Sequence, residues 1–194
     1  MLLFKRRGNI DMANLLMIVP DNFEDVEAIA TLDTLKRGGH NVFLSSVMNR
    51  IEVKTKCGYI LQTDDIIENV DISEFDGLII PGGPGSFTIL DKMPIVDKLI
   101  VDFYKNNKLV AAICTAPHLI GRLGLLKNKE FTVHPGFEDQ VIGGTYLRES
   151  GVVRDGNFIT AKSMYYSIEF GLKIHEYFHG TNSRERLEAS LQGE

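Results

Sequence analysis

The stretch Ala111-Ala112-Ile113-Cys114-Thr115-Ala116-Pro117 places a thiol between an apolar run and the start of a helical pattern, with alanines two positions to either side. That is the steric requirement of a nucleophile elbow, a tight and strained strand-to-helix turn with no room for larger side chains at those places. At a helix start the unpaired N–H groups and the helix dipole favour thiolate, and can lower a cysteine pKa from about 8.5 by several units. A lone cysteine is more commonly a small buried hydrophobe, so this segment alone leaves catalysis and packing both open.

Three further features could serve such a thiol. Ile80-Pro81-Gly82-Gly83-Pro84-Gly85-Ser86 combines a strand end with close backbone approach, and its N–H groups could cradle an oxyanion or carbonyl oxygen; alone it also reads as an ordinary Gly-rich turn. It completes no phosphate motif: a Gly-Lys-Ser/Thr is missing, and Thr88 stands where a dinucleotide fingerprint needs a small residue. Glu27, near the start of the first helical pattern, can point back over the strand ends, and a carboxyl buried there stays protonated and donates a hydrogen bond. Glu24 and Asp25 read instead as solvated helix-start acids. His134, in Val133-His134-Pro135, offers an acid/base with an unperturbed pKa of about 6.5, although a lone histidine more often just bonds a carbonyl.

The elements that must position these residues alternate in type. Leu15–Pro20, Asn41–Ser46, Gly77–Ile80 and Leu109–Ile113 are short apolar runs expected of strands covered on both faces, and Val26 to Lys36 and Pro94 to Asn106 read as helices between them. Ile51–Thr55 and Tyr59–Thr63 around Cys57-Gly58 read as a hairpin. After Cys114 the pattern predicts a helix from Ala116 to about Leu123, strand pieces at Phe131–Val133, Val152–Arg154 and Phe158–Ala161, and a long helix from about Ser167 to Phe178. Strands alternating with helices predict a mostly parallel sheet with helices on both faces, whose ligands bind beyond the carboxyl ends of the strands. The segments 21–27, 81–86 and 114–117 all fall at such ends.

With 194 residues and 44% hydrophobic content the chain suits one domain, expected over 12–180, with residues 1–11 as an N-terminal extension and 181–194 as a polar tail or surface helix. The net charge of -5 with scattered basic residues excludes a nucleic-acid footprint. Two cysteines without a CxxC pair or a nearby histidine suggest neither a disulfide framework nor a zinc site, and no stretch is apolar for long enough to span a bilayer. A cytoplasmic setting and no membrane association are expected.

Asn22-Phe23-Glu24-Asp25-Val26-Glu27, Pro81-Gly82-Gly83, Ala111–Pro117 and Val133-His134-Pro135 together resemble the ThiJ/PfpI superfamily, in particular its parkinsonism-associated deglycase branch, with order and spacing that agree from about Leu15 to Gly180. The resemblance implies a flavodoxin-like three-layer sandwich, class I glutamine amidotransferase-like, usually dimeric. It implies Cys114 as nucleophile and redox-sensitive thiol and Glu27 as its protonated hydrogen-bond partner. The amides of Gly83 and Thr115, with neighbouring Gly82, would form the oxyanion and substrate-binding site, with His134 close to the thiol. The implied activity is glutathione-independent glyoxalase or deglycase chemistry on methylglyoxal and related α-oxoaldehydes or glycated substrates, with no metal or organic cofactor. The alternatives are an oxidative-stress sensor or a chaperone.

Two departures bear on substrate. Thr115 stands where the peptidase branch carries a histidine directly after its cysteine, so amidase or peptidase action is disfavoured. Lys162-Ser163-Met164-Tyr165-Tyr166 replaces a Gly-Pro-Gly-like turn of the deglycase branch, and Lys56-Cys57 stands where that branch carries an arginine.

Overall fold

The computed structural model describes residues 12–194; the expected extension at 1–11 lies outside them. Along the chain run β1 (Asn14–Val19), α1 (Asp25–Arg37), β2 (Asn41–Ser46), β3 (Glu52–Lys54), β4 (Ile60–Gln62), β5 (Asp65–Ile66), β6 (Gly77–Ile80), α2 (Pro84–Thr88), α3 (Pro94–Lys105) and β7 (Leu109–Ile113). They continue with α4 (Pro117–Gly121), β8 (Glu130–Phe131), β9 (Thr145–Tyr146), β10 (Val152–Asp155), β11 (Phe158–Ala161), α5 (Ser167–His179) and α6 (Thr181–Gln192).

A 7-stranded sheet has the order β10-β11-β7-β6-β1-β2-β5, parallel except for the antiparallel β10–β11 pair. Its stretch β2-β1-β6-β7-β11 is the 2-1-3-4-5 order of flavodoxin-like folds, whose topological switch lies between β1 and β6. Because β1, β6 and β7 pair on both edges and are covered on both faces, each must be apolar throughout: every residue of β6 and β7 is buried, as are the last five of β1.

Two hydrophobic clusters flank the sheet. On one face Phe170 and Ile174 of α5 and Ala28 and Leu35 of α1 pack on Leu15, Met17, Ile79 and Ala111. On the other, Val96, Leu99, Ile100 and Phe103 of α3 pack on Leu16, Ile18, Leu78 and Val110. These α3 positions recur at helical spacing, so the buried stripe centres on Val96 while Ile95 stays partly exposed. The result is the three-layer, class I glutamine amidotransferase-like sandwich.

Some boundaries differ from the sequence expectation. The helix after Cys114 is confined to Pro117–Gly121, because the chain turns away at Gly124, which adopts a left-handed φ of 72°. The strand expected at Phe131–Val133 shrinks to β8, whose short pairing is with β9. The polar segment after Gly180 forms α6, with Leu187 its buried contact. Among the described residues no helix is long and apolar enough to cross a membrane.

Candidate active site

The site is built where the ends of β1, β6 and β7 meet. β7 runs apolar to Ile113, and the next residue, Cys114, takes φ 62°. A non-glycine residue in this region carries strain on the order of 1–3 kcal/mol, so the surroundings must hold it there. They do so from both sides: the Cys114 N–H donates to the Ala161 carbonyl at the end of β11 (2.8 Å), and the Cys114 carbonyl accepts from the His134 N–H (2.8 Å). Ala112 and Ala116 are fully buried around the turn, as an elbow requires. Cys114 as a residue is partly exposed.

Glu27, in the first turn of α1, reaches into the same space. Its Oε2 accepts the Gly82 N–H at 2.8 Å, and the side chain is 1% exposed. Its Oε1 is sealed from solvent without an aligned hydrogen-bond partner, although the carboxyl interacts directly with the Cys114 thiol. Glycine at position 82 makes the encounter possible: a Cβ there would fall 2.7 Å from both Cys114 Cβ and Glu27 Oε2. Gly83 is required for a different reason. It adopts φ 90°, and a Cβ would lie 2.5 Å from the Glu24 amide.

Burial raises the Glu27 carboxyl to about 7; its contacts with the thiol and the Gly82 N–H pull the other way and are outweighed. Burial, the Glu27 charge and the Glu27 hydrogen bond likewise push the Cys114 thiol up, against the N–H groups of Thr115 and Gly83, which favour thiolate. The pair therefore behaves as a unit that gives up its first proton near neutrality and holds the second strongly. This corrects the expectation of a cysteine ionised by a helix start. α4 has only five residues, so its dipole is weak, and the sulfur is too desolvated to carry charge beside an ionised carboxylate.

Of the residues singled out from sequence, Glu27, Cys114, Gly82, Gly83 and Thr115 come together here. Gly82 differs in role: its N–H is spent on Glu27, leaving the Gly83 and Thr115 amides directed at the sulfur. His134 differs more. Its exposed ring has Nδ1 2.9 Å from the Pro135 carbonyl, and what it gives the site is the main-chain bond to Cys114. The residues after it turn at Gly136, with φ 95°, and Phe137 and the imidazole form a T-shaped pair.

Other contributors escaped sequence reasoning. Glu24, expected to be solvated, is 8% exposed, and its Oε2 lies 2.7 Å from Lys56 Nζ. The β3–β4 hairpin lies over the loop after β1, with the Asn22 N–H bonded to the Lys54 carbonyl (2.7 Å) and the Lys56 N–H to the Phe23 carbonyl (2.9 Å). Lys56 therefore sits close enough to Cys114 to sense its charge. Beneath the elbow, Ser86 Oγ and Thr115 Oγ1 are 2.6 Å apart, and Ser86 Oγ donates to the Gly83 carbonyl (3.0 Å), tying the Gly-rich turn to Thr115. His118 faces away from the thiol, with Nδ1 2.6 Å from the Thr115 carbonyl and Nε2 3.1 Å from Asp91. No hydrogen bond joins either histidine to the sulfur. The second cysteine, Cys57, is exposed in the hairpin, and a hydrogen bond to Asp25 pushes its thiol up.

A 2-1-3-4-5 sheet that presents one strained cysteine above the carboxyl ends of its strands, against a buried carboxyl from the first helix, defines a flavodoxin-like protein with a thiol–carboxyl pair at the switch point. More narrowly, the chain belongs to the DJ-1/PfpI family, whose model matches residues 13–177. It is 32% identical over 174 residues to the glutathione-independent glyoxalase DJR-1.2 of Caenorhabditis elegans, covering 89% of this chain and 92% of that one. It is 33% identical over 150 residues to a Pyrococcus abyssi protein named a deglycase, covering 76% of this chain and 88% of that one. The crystal structure of Drosophila melanogaster DJ-1beta superposes with a TM-score of 0.87 at 27% identity, over 93% of this chain and 98% of that one.

Proposed function

We propose that the chain is a cofactor-independent glyoxalase or deglycase-like enzyme acting on methylglyoxal and related α-oxoaldehydes. The observation that carries this reading is the Glu27–Cys114 pair: a carboxyl raised to about 7 in direct contact with a thiol, with the Gly83 and Thr115 amides turned toward the sulfur. The names of the worm and archaeal relatives support it.

A base whose pKa lies near the working pH is matched to proton transfer. As the sulfur attacks the aldehyde carbon, the thiol proton passes to the Glu27 carboxylate, and the carbonyl oxygen becomes an oxyanion held by the Gly83 and Thr115 N–H groups. Glu27 returns that proton to the oxyanion, which gives a hemithioacetal and restores the carboxylate. Glu27 then carries a proton from the former aldehyde carbon to the neighbouring carbon through an enediol. This leaves a thioester of the 2-hydroxy acid, which water cleaves to lactate and free thiol. The added water balances the reaction, and no redox partner enters. Lys56 adds positive charge beside the developing anion.

The test is turnover of methylglyoxal by purified protein, followed as lactate. Cys114→Ala should abolish it and Glu27→Gln should lower it by roughly 10²–10⁴-fold, and activity unchanged in either variant would rule the mechanism out.

A further inference from the structure

Away from the thiol, the turn between α1 and β2 brings His40 against two histidines of α5, His175 and His179, spaced i and i+4 on one helix face. The ring centroids are 5.1 Å apart for His40–His175, 4.9 Å for His40–His179 and 4.8 Å for His175–His179. One nitrogen from each ring lies within 4.8 Å of the others. His40 and His175 are 4% and 3% exposed, so this is an interior cluster.

Such a cluster is poorly explained as packing alone. His40 Nδ1 and His179 Nε2 are shut off from solvent with no hydrogen-bond partner, and an unsatisfied buried polar atom costs on the order of 1–3 kcal/mol. His40 Nε2 and His175 Nδ1 face each other at 3.0 Å, so they must share a single proton. On its far side, His175 Nε2 meets Ser183 Oγ of α6 at 2.9 Å. This is the arrangement of a metal-ligating imidazole, in which an outer hydrogen bond fixes the ring and leaves the inner nitrogen's lone pair free.

We infer that His40, His175 and His179 bind a divalent transition-metal cation of the zinc class, a site that the cysteine pattern gave no reason to expect. Imidazole nitrogen suits such ions, and three nitrogens brought about 3.4 Å apart around metal–nitrogen bonds of about 2.0–2.1 Å leave a fourth tetrahedral position for water. The present spacing reaches that geometry by rotation of the side chains, with the cation replacing the shared proton and using a lone pair now stranded. Arg186 acts on His175 and opposes a cation, so the affinity must come from the nitrogens themselves. Bound metal would fasten α5 and α6 to the turn after α1 and raise stability through its preference for the folded state.

The experiment titrates Zn2+ into metal-stripped, tag-free full-length protein against a chromophoric chelator, beside His179→Gln, which alters the least buried ligand. One zinc per chain, binding weakened at least about tenfold by the substitution, and a zinc-dependent rise in Tm confined to the wild type are expected. Co2+-loaded wild type, which reads the ligand set without any substitution, should show d–d bands and no thiolate charge-transfer band. Failure to bind below about 10 μM, equal binding by His179→Gln, or a thiolate band pointing to Cys57 or Cys114 would overturn the site.

Discussion

Glu27 and Cys114 meet across Gly82: the position a side chain at 82 would occupy is bounded at 2.7 Å by the Cys114 Cβ on one side and by the Glu27 carboxyl on the other. A first-helix carboxyl and a strand-end thiol thus reach each other only because the residue between them has no side chain, and its amide still anchors Glu27 Oε2 at 2.8 Å.

Gly82→Ala is therefore expected to force the pair apart. Overpacking of this kind costs about 1–3 kcal/mol, read as a lowered urea midpoint, and turnover should fall well beyond what that loss of stability explains. A variant with wild-type kcat would show that the pair tolerates separation.

Turnover should depend on pH through Glu27. With its carboxyl at about 7, kcat/KM should rise as pH increases through neutrality, because the base must be ionised to take the thiol proton. Glu27→Gln should flatten this limb and lower the rate by roughly 10²–10⁴-fold. A profile that keeps its neutral limb in the glutamine variant would assign the titration to another group.

The same group links stability to pH. Its folded pKa of about 7 lies above the ordinary 4.5, so the protonated carboxyl favours the folded state fully below about 4.5, and this contribution is lost as pH rises through 7. At 1.36 kcal/mol per pKa unit the loss is on the order of 3 kcal/mol. Wild type should fall relative to Glu27→Gln by an amount of this order between pH 4.5 and 8 in denaturant titrations, and parallel curves would refute the assignment.

Lys56 gives a separable test. Its ion pair with Glu24 is half exposed on the lysine side, so Lys56→Met should change stability by less than about 1 kcal/mol. The ammonium lowers the Glu27 carboxyl, so its removal should move the neutral limb of the kcat/KM profile to higher pH. A profile that stays in place would show that Lys56 is electrostatically remote from the pair.

The sheet and its helices were legible in the chain because they rest on local pattern. Leu109–Ile113 and Asn41–Ser46 are strands with the bounds expected of them, and the alanines around Cys114 already announced the strained turn. Local pattern failed where length or contact was decided at a distance, as in α4, which stops at Gly121, and the strand expected at Phe131–Val133, of which only Phe131 pairs.

For the site, residue type and order fixed which thiol and which carboxyl could act. Only the tertiary structure decided their state. Helix-start electrostatics argued for a standing thiolate, but desolvation and a charge neighbour 87 positions away in sequence outweigh a five-residue helix. The direction of the His134 ring, the burial of Glu24 under the hairpin lysine and the gathering of His40 with His175 and His179 were equally hidden. Each depends on which surfaces the folded chain brings together. Side-chain periodicity records the face a residue presents, but it does not record what lies opposite.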